Sequence, residues 1–323
     1  MTKHRETYYR YRAFSTTLDS LCQDTLHFAH PGTFNDPLDC DPTIECDSDL
    51  DQLRALLDVL IRRRVSAEVL ESLRRARLGG DRAAAHANKR AQTEATSELA
   101  NIGDHATNPE YEVEKDEAES WLLVQEIQRE LRQHYARGVC CFSRTYRSPV
   151  LWSHYGDNHE GLCIGYGTDR VPKPTLKKVI YGGNRGIKTS TLARTFVHDD
   201  DDAKADLDRD VLLRKARGWS YEREWRLIGD QGLQDSPLLL KEVIFGLRCG
   251  PSIKHAVVRA LDGRDQPVQF YEMYEVRSRY VLRRKPLELD DFTWLPKTAE
   301  SGEEIFGPSD ADEQTRAEAA DAD

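Results

Sequence analysis

The 323-residue chain has no run approaching the roughly 20 apolar residues that a membrane span requires. Its opening, MTKHRETYYRYR, is polar and holds no apolar stretch, so no secretory signal is expected. It contains no CxxC pair. The seven cysteines, Cys22, Cys40, Cys46, Cys140, Cys141, Cys163 and Cys249, are odd in number and scattered, which argues against a disulfide framework and against zinc. Reduced thiols in a cytoplasm are the expectation, with Cys140, Cys141 and Cys163 buried in apolar strands. There is no GxSxG elbow and no Walker loop. Gly161, Gly165 and Gly167 lie in or just after a strand rather than between strand and helix, which removes a dinucleotide fingerprint. A basic excess is also missing. The net charge of −10 is carried entirely by residues 287–323, where twelve acidic residues face only Lys297 and Arg316. The neutral remainder does not advertise nucleic-acid binding.

What is present supports a real core, since 39% of the residues are hydrophobic. Residues 8–12 read as a strand with Tyr9 and Tyr11 on one face and Arg10 and Arg12 on the other. The stretch HPGTFNDPLDC, residues 30–40, is dense in turn chemistry and is expected to be a structured loop. Its Asn35, Asp36 and Asp39 either bind a ligand or satisfy their own backbone in Asx-turns. Helical periodicity through Leu53, Leu56, Leu57, Leu60 and Ile61, an Ala-rich run, and a third segment around Trp121, Ile127 and Leu131 predict a helical insertion at residues 48–137. Strands are expected at residues 139–143, 160–166 and 268–274, with PVLWSHY as a short helix. The strands are too irregularly spaced for a βαβ series. The expectation is therefore one α+β domain over residues 1–286, with mixed or antiparallel strands and an acidic, largely disordered tail over residues 287–323.

Residues 217–229, RGWSYEREWRLIG, concentrate two Trp, a Tyr, two Glu and three Arg. If residues 221–228 form a strand, Glu222, Glu224 and Arg226 share one face, while Arg223, Trp225 and Leu227 occupy the other. A carboxylate pair in a cleft repels itself, raises one pKa and suits proton transfer or the stabilisation of positive charge. The same alternation also describes a solvated, self-paired edge. His154, His159 and Glu160 straddle a Gly-Asp-Asn turn, so their spacing fits no helical or strand ligand pair, and no metal is expected.

YRYR near the start, FNDPLDC, CFS followed by LWSHYGDNHEGLCIGY, and WSYEREWRLIG, in that order over residues 8–250, resemble the bacterial family designated domain of unknown function 2971. Members are associated in general terms with mobile elements and phage defence. The order of elements also resembles, more remotely, the ADP-ribosyltransferase fold. That resemblance implies an NAD-consuming effector, either a transferase or an NAD glycohydrolase, acting as a toxin or in defence. NAD would be substrate, the acceptor a protein, a nucleic acid or water, and an antitoxin or defence protein a partner. Carried over by motif, Arg10 or Arg12 holds the ribose or pyrophosphate and Ser143 orients the sugar. Glu224 acts on the ribose, and Glu222 assists the acceptor. The segment Phe142-Ser143-Arg144-Thr145 departs from the S-T-S of arginine-specific members. Tyr11, Asn35, Asp36, Trp152, His154 and Tyr155 are expected to converge on the same cleft. Two other readings remain: a nuclease-like effector centred on Asp36, Asp39 and His154, and a non-catalytic interaction module using the helical insertion and the acidic tail.

Overall fold

Eight strands form one mixed sheet in the computed structural model, which describes residues 6–289 and 305–307. They are β1 (Thr7–Arg12), β2 (Gly138–Ser143), β3 (Leu162–Gly167), β4 (Lys177–Lys178), β5 (Glu224–Gly229), β6 (Leu239–Phe245), β7 (Gln269–Glu275) and β8 (Leu282–Pro286). Their order across the sheet is β8-β7-β6-β3-β1-β2-β5-β4, with β6 and β7 parallel and the remaining neighbours antiparallel. The chain is therefore α+β. Most of the acidic segment expected over residues 287–323 lies outside the described residues. Leu287 is buried against the sheet, so packing continues one residue past the expected boundary.

The sheet is split in the middle. β1 pairs with β3 at six consecutive positions, from Thr7↔Gly167 to Arg12↔Leu162. β5 pairs with β2 from Glu224↔Ser143 to Gly229↔Gly138. Between these two blades, β1 and β2 pair only at Tyr9↔Ser143. Beyond that point the strands diverge, and each keeps alternate N–H and C=O groups facing the gap. The segment after the strand Thr25–Phe28 fills the base of the gap, where Ala29 and Val139 exchange two backbone hydrogen bonds of 2.9 Å. From the loop of residues 30–40, Thr33, Phe34, Asn35 and Asp39 line the space between the blades.

Three helices, α1 (Leu50–Arg75), α2 (Asp81–His105) and α3 (Lys115–His134), lie between the first strands and β2. A capping box starts α1: the Asp49 carboxylate accepts from Gln52 N, and the Gln52 side chain accepts from Asp49 N. Leu53, Leu57, Leu123, Ile127 and Leu131 share a core with Val139 of β2 and with Leu192 and Val211, so the helical block packs against the blade that carries β5. The opposite face of that blade, with Phe142 and Leu227, packs with Tyr8, Ile164 and Phe245. None of the helices among the described residues is long and apolar enough to cross a membrane.

A strand over residues 221–228 is not what forms. Residues 217–222 make a 3-10 turn, Arg223 is left-handed with φ 49°, and the strand starts at Glu224. The sheet itself ends the strand there: Ser143 is the last residue of β2, and its hydroxyl donates to the Glu222 carbonyl at 2.5 Å. Strand alternation then holds only for Glu224 and Arg226, opposite Trp225 and Leu227. Glu222 reaches the same place from the turn.

Candidate active site in the split sheet

A cleft of about 350 Å³ occupies the split. It lies near the lower end of the range for small-molecule sites, about 300–1,000 Å³. β1 alternation sends Tyr9 and Tyr11 to one face and Arg10 and Arg12 to the other. Both pairs line the cleft because the split joins the two faces.

One end is a buried ionic cluster. Lys215 Nζ stands 2.7 Å from Glu222 Oε2, 2.8 Å from Glu224 Oε2 and 3.2 Å from Asp39 Oδ2. Arg226 is fully buried and uses its whole fork: Nε to Glu224 Oε1, one terminal nitrogen to Leu212 O and Cys40 Sγ, the other to both Asp39 oxygens. Asp39, Lys215, Glu222 and Glu224 are also buried. The solvated-edge alternative is thereby excluded for this carboxylate pair. Three carboxylates face two cations, an excess of one negative charge.

The two glutamates differ. Burial would raise the Glu224 carboxyl, but Arg226 and Lys215 outweigh it and hold it at about 2. Burial pushes the Glu222 carboxyl up, and Lys215 only partly offsets the shift. Both Glu224 oxygens rest on cations. Glu222 has Lys215 on one oxygen, while the other accepts from the Tyr155 hydroxyl at 2.8 Å. Asn35 Nδ2 donates to that hydroxyl at 3.1 Å. Burial and the adjacent Glu222 raise the Tyr155 phenol, keeping it protonated as a donor.

The other end is basic. One terminal nitrogen of Arg10 donates to the His27 carbonyl at 2.9 Å. Arg12 makes no side-chain hydrogen bond or ion pair among the described residues. Burial, followed by the neighbouring Arg10 charge, lowers its guanidinium to about 10. Burial and the same two arginines also lower His27. A partly desolvated guanidinium without a carboxylate partner keeps its forked donors available.

The cleft thus gathers Arg10, Tyr11, Arg12, Asn35, Ser143, Tyr155, Glu222 and Glu224. Ser143 is buried, with its only proton committed to the Glu222 carbonyl and its oxygen accepting from Thr145 N at 3.1 Å. Three expected residues are not among the lining. Asp36 accepts from Trp219 Nε1 at 2.6 Å and from Leu38 N at 2.9 Å, which ties the loop down. Trp152 is wholly buried, edge-on to Tyr11 at 5.1 Å, with its indole N–H on the Tyr146 carbonyl; its bulk took it into the core. His154 lies on the exposed side of helix α4 (Pro149–Tyr155). Asp36 and His154 therefore do not join Asp39 in one polar centre. Among the described residues no group of three or more His, Cys, Asp or Glu is arranged to hold a metal.

Lys215 and Arg226 went unrecognised as site residues. Lys215 sits in the run RKAR, where nothing but burial separates it from its neighbours; Arg226 looked like a self-pairing charge on an edge. No curated protein and no solved structure matches the chain. Residues 151–227 match the model of the family described as Protein of unknown function (DUF2971). Tyr155, Lys215, Glu222, Glu224 and Arg226 fall within that span, so the similarity to the family covers much of the cleft's ionic cluster.

Proposed function

We propose that the cleft binds NAD and breaks the bond between nicotinamide and ribose, as an ADP-ribosyltransferase or NAD glycohydrolase. The observation that carries this is the uneven charge of one cleft: a buried excess of negative charge at Glu222 and Glu224, with Arg10 and Arg12 lining the same space. NAD has the complementary pattern, an anionic pyrophosphate and a ribosyl carbon that turns positive as its bond to nicotinamide breaks. Arg10 and Arg12 would take the phosphate oxygens in forked hydrogen bonds. The fixed negative end would stabilise the oxocarbenium-like state in a water-poor setting. The electron pair of the broken bond leaves with the nicotinamide nitrogen, neutralising the ring. Water or an acceptor group then bonds to the ribosyl carbon and gives up its proton.

Within the pair, Glu222 is the better placed to meet the ligand. Glu224 is held by two cations, whereas a ribose hydroxyl can replace the Tyr155 phenol on Glu222. An effector role follows if the activity depletes cellular NAD or modifies a macromolecule. The test is release of free nicotinamide from NAD, with and without a cell lysate, using NAD labelled in its adenylate half. Release without lysate supports hydrolysis, and label on protein or nucleic acid supports transfer to that class. No release in either arm would overturn the reading and favour a binding module.

A further inference from the structure

Among the described residues Lys215 alone contacts all three carboxylates of the acidic end, and those carboxylates come from separate segments: Asp39 from the loop of residues 30–40, Glu222 from the 3-10 turn and Glu224 from β5. The Lys215 side chain is 6% exposed, and its ammonium lies 5.3 Å from the centre of the Trp219 ring, which itself holds the loop through Asp36. Arg226, the other cation, touches Asp39 and Glu224 and makes no hydrogen bond or ion pair to Glu222. Among the described residues Glu222 therefore has one cationic partner, and it is Lys215.

We propose that Lys215 is a positioning residue for this cleft: a single ammonium shared by three segments fixes the orientation of Glu222 and maintains it as a carboxylate. This rests on the reading of the cleft as the reactive site. Lys215 does not act on the ligand; it acts through Glu222. The ionisable groups around Glu222 are Lys215, Glu224, Asp39 on the same ammonium, Tyr155, Tyr221 and Tyr181. Of these only Lys215 is positive, so its removal leaves Glu222 among two carboxylates and phenols, and its protonation midpoint must rise. An ammonium is also a compact charge that three carboxylates can share, whereas a guanidinium is a planar fork suited to one or two.

The test compares wild type, Lys215→Met and Lys215→Arg by carbon-13 NMR titration of the Glu222 carboxyl, assigned with Glu222→Gln, and by the pH profile of nicotinamide release. In Lys215→Met the Glu222 midpoint should rise by about one to three pH units, and the acid limb of activity should rise with it. Lys215→Arg should restore both while plateau turnover stays reduced by up to about 10²-fold, the scale of a misplaced group. An unchanged Glu222 midpoint in a folded Lys215→Met variant would overturn the proposal. Full turnover in Lys215→Arg would also overturn it, and that variant tests the positioning role even if the Met variant does not fold. If wild type releases no nicotinamide, the NAD reading fails, and the carboxyl titration still decides whether Lys215 controls Glu222.

Discussion

The two ends of the cleft are built in opposite ways. At the acidic end, the loop, the 3-10 turn, β5 and the strand pair Arg214–Lys215 each contribute charged side chains, and every one has a partner. At the basic end, Arg10 has one backbone carbonyl and Arg12 has no side-chain partner among the described residues. The acidic end is complete without ligand, and the protein bears its desolvation and its surplus charge as a standing cost. The basic end carries no carboxylate partner of its own among the described residues, and in the proposed reading an anionic ligand supplies it. Preorganisation belongs where charge must be ready during a reaction, and vacancy where a ligand's own charge supplies the partner.

Substitutions at the two ends should therefore fail differently. The largest effect is expected from Arg226→Met. It strands Asp39 and Glu224 beside a single ammonium, and breaking a buried pair in this way costs about 3–5 kcal/mol, measurable by chemical or thermal unfolding. Glu224→Gln comes next and loses both stability and turnover. The Glu224 carboxyl is lower in the folded chain, about 2, than its ordinary 4.5. Its contribution is then fully present above the unfolded value and lost as pH falls toward the folded one. The stability gap between wild type and Glu224→Gln should be full at pH 7 and close between about pH 4.5 and pH 2. A gap independent of pH would show that packing, not charge, holds this end.

Arg12→Ala should behave in the reverse manner. It removes a desolvated charge with no side-chain partner, so unfolding free energy should not fall. Binding of ADP-ribose should weaken about 10- to 100-fold, the worth of a charge-assisted contact, as calorimetry can measure. A destabilised variant with unchanged affinity would erase the distinction between the ends. The smallest effect belongs to His154→Ala, an exposed position outside the cleft lining, where stability should change by less than about 0.5 kcal/mol and nicotinamide release should stay at the wild-type rate.

How far the sequence foretold this follows from the range of the forces involved. The helices of residues 48–137 were legible because their apolar spacing is a local signal; Leu53, Leu57 and Ile127 occupy the core that their periodicity implied. Arg10, Arg12, Tyr155, Glu222 and Glu224 line one cleft, as their shared polar character and, for the Arg and Glu residues, their motif order led one to expect. The failures have a common physical origin. Whether Trp152 lines a cleft or fills a core, whether residues 221–223 extend a strand or close a turn, and whether Lys215 faces water or three carboxylates depend on tertiary contacts that no local pattern encodes, such as those of Tyr11, Ser143 and Asp39. Ser143 ends the strand register, and Asp39 closes the ionic cluster from a loop whose turn residues read equally well as self-satisfied.

Glu222→Gln tests the central claim most directly, because the account requires its stability and its activity to move apart. Burial raises the Glu222 carboxyl, so in the folded chain its ionised form is disfavoured above the ordinary carboxylate range. Its charge then costs stability as pH rises from the unfolded value through the folded one, and removing that charge leaves three carboxylates as two against two cations. Melting temperature and nicotinamide release should be measured on the same preparation at pH 7. The account predicts a melting temperature equal to or above that of wild type, with release reduced about 10²- to 10³-fold. A lowered melting temperature together with undiminished release would contradict it, making Glu222 a structural charge and the acidic end a scaffold alone.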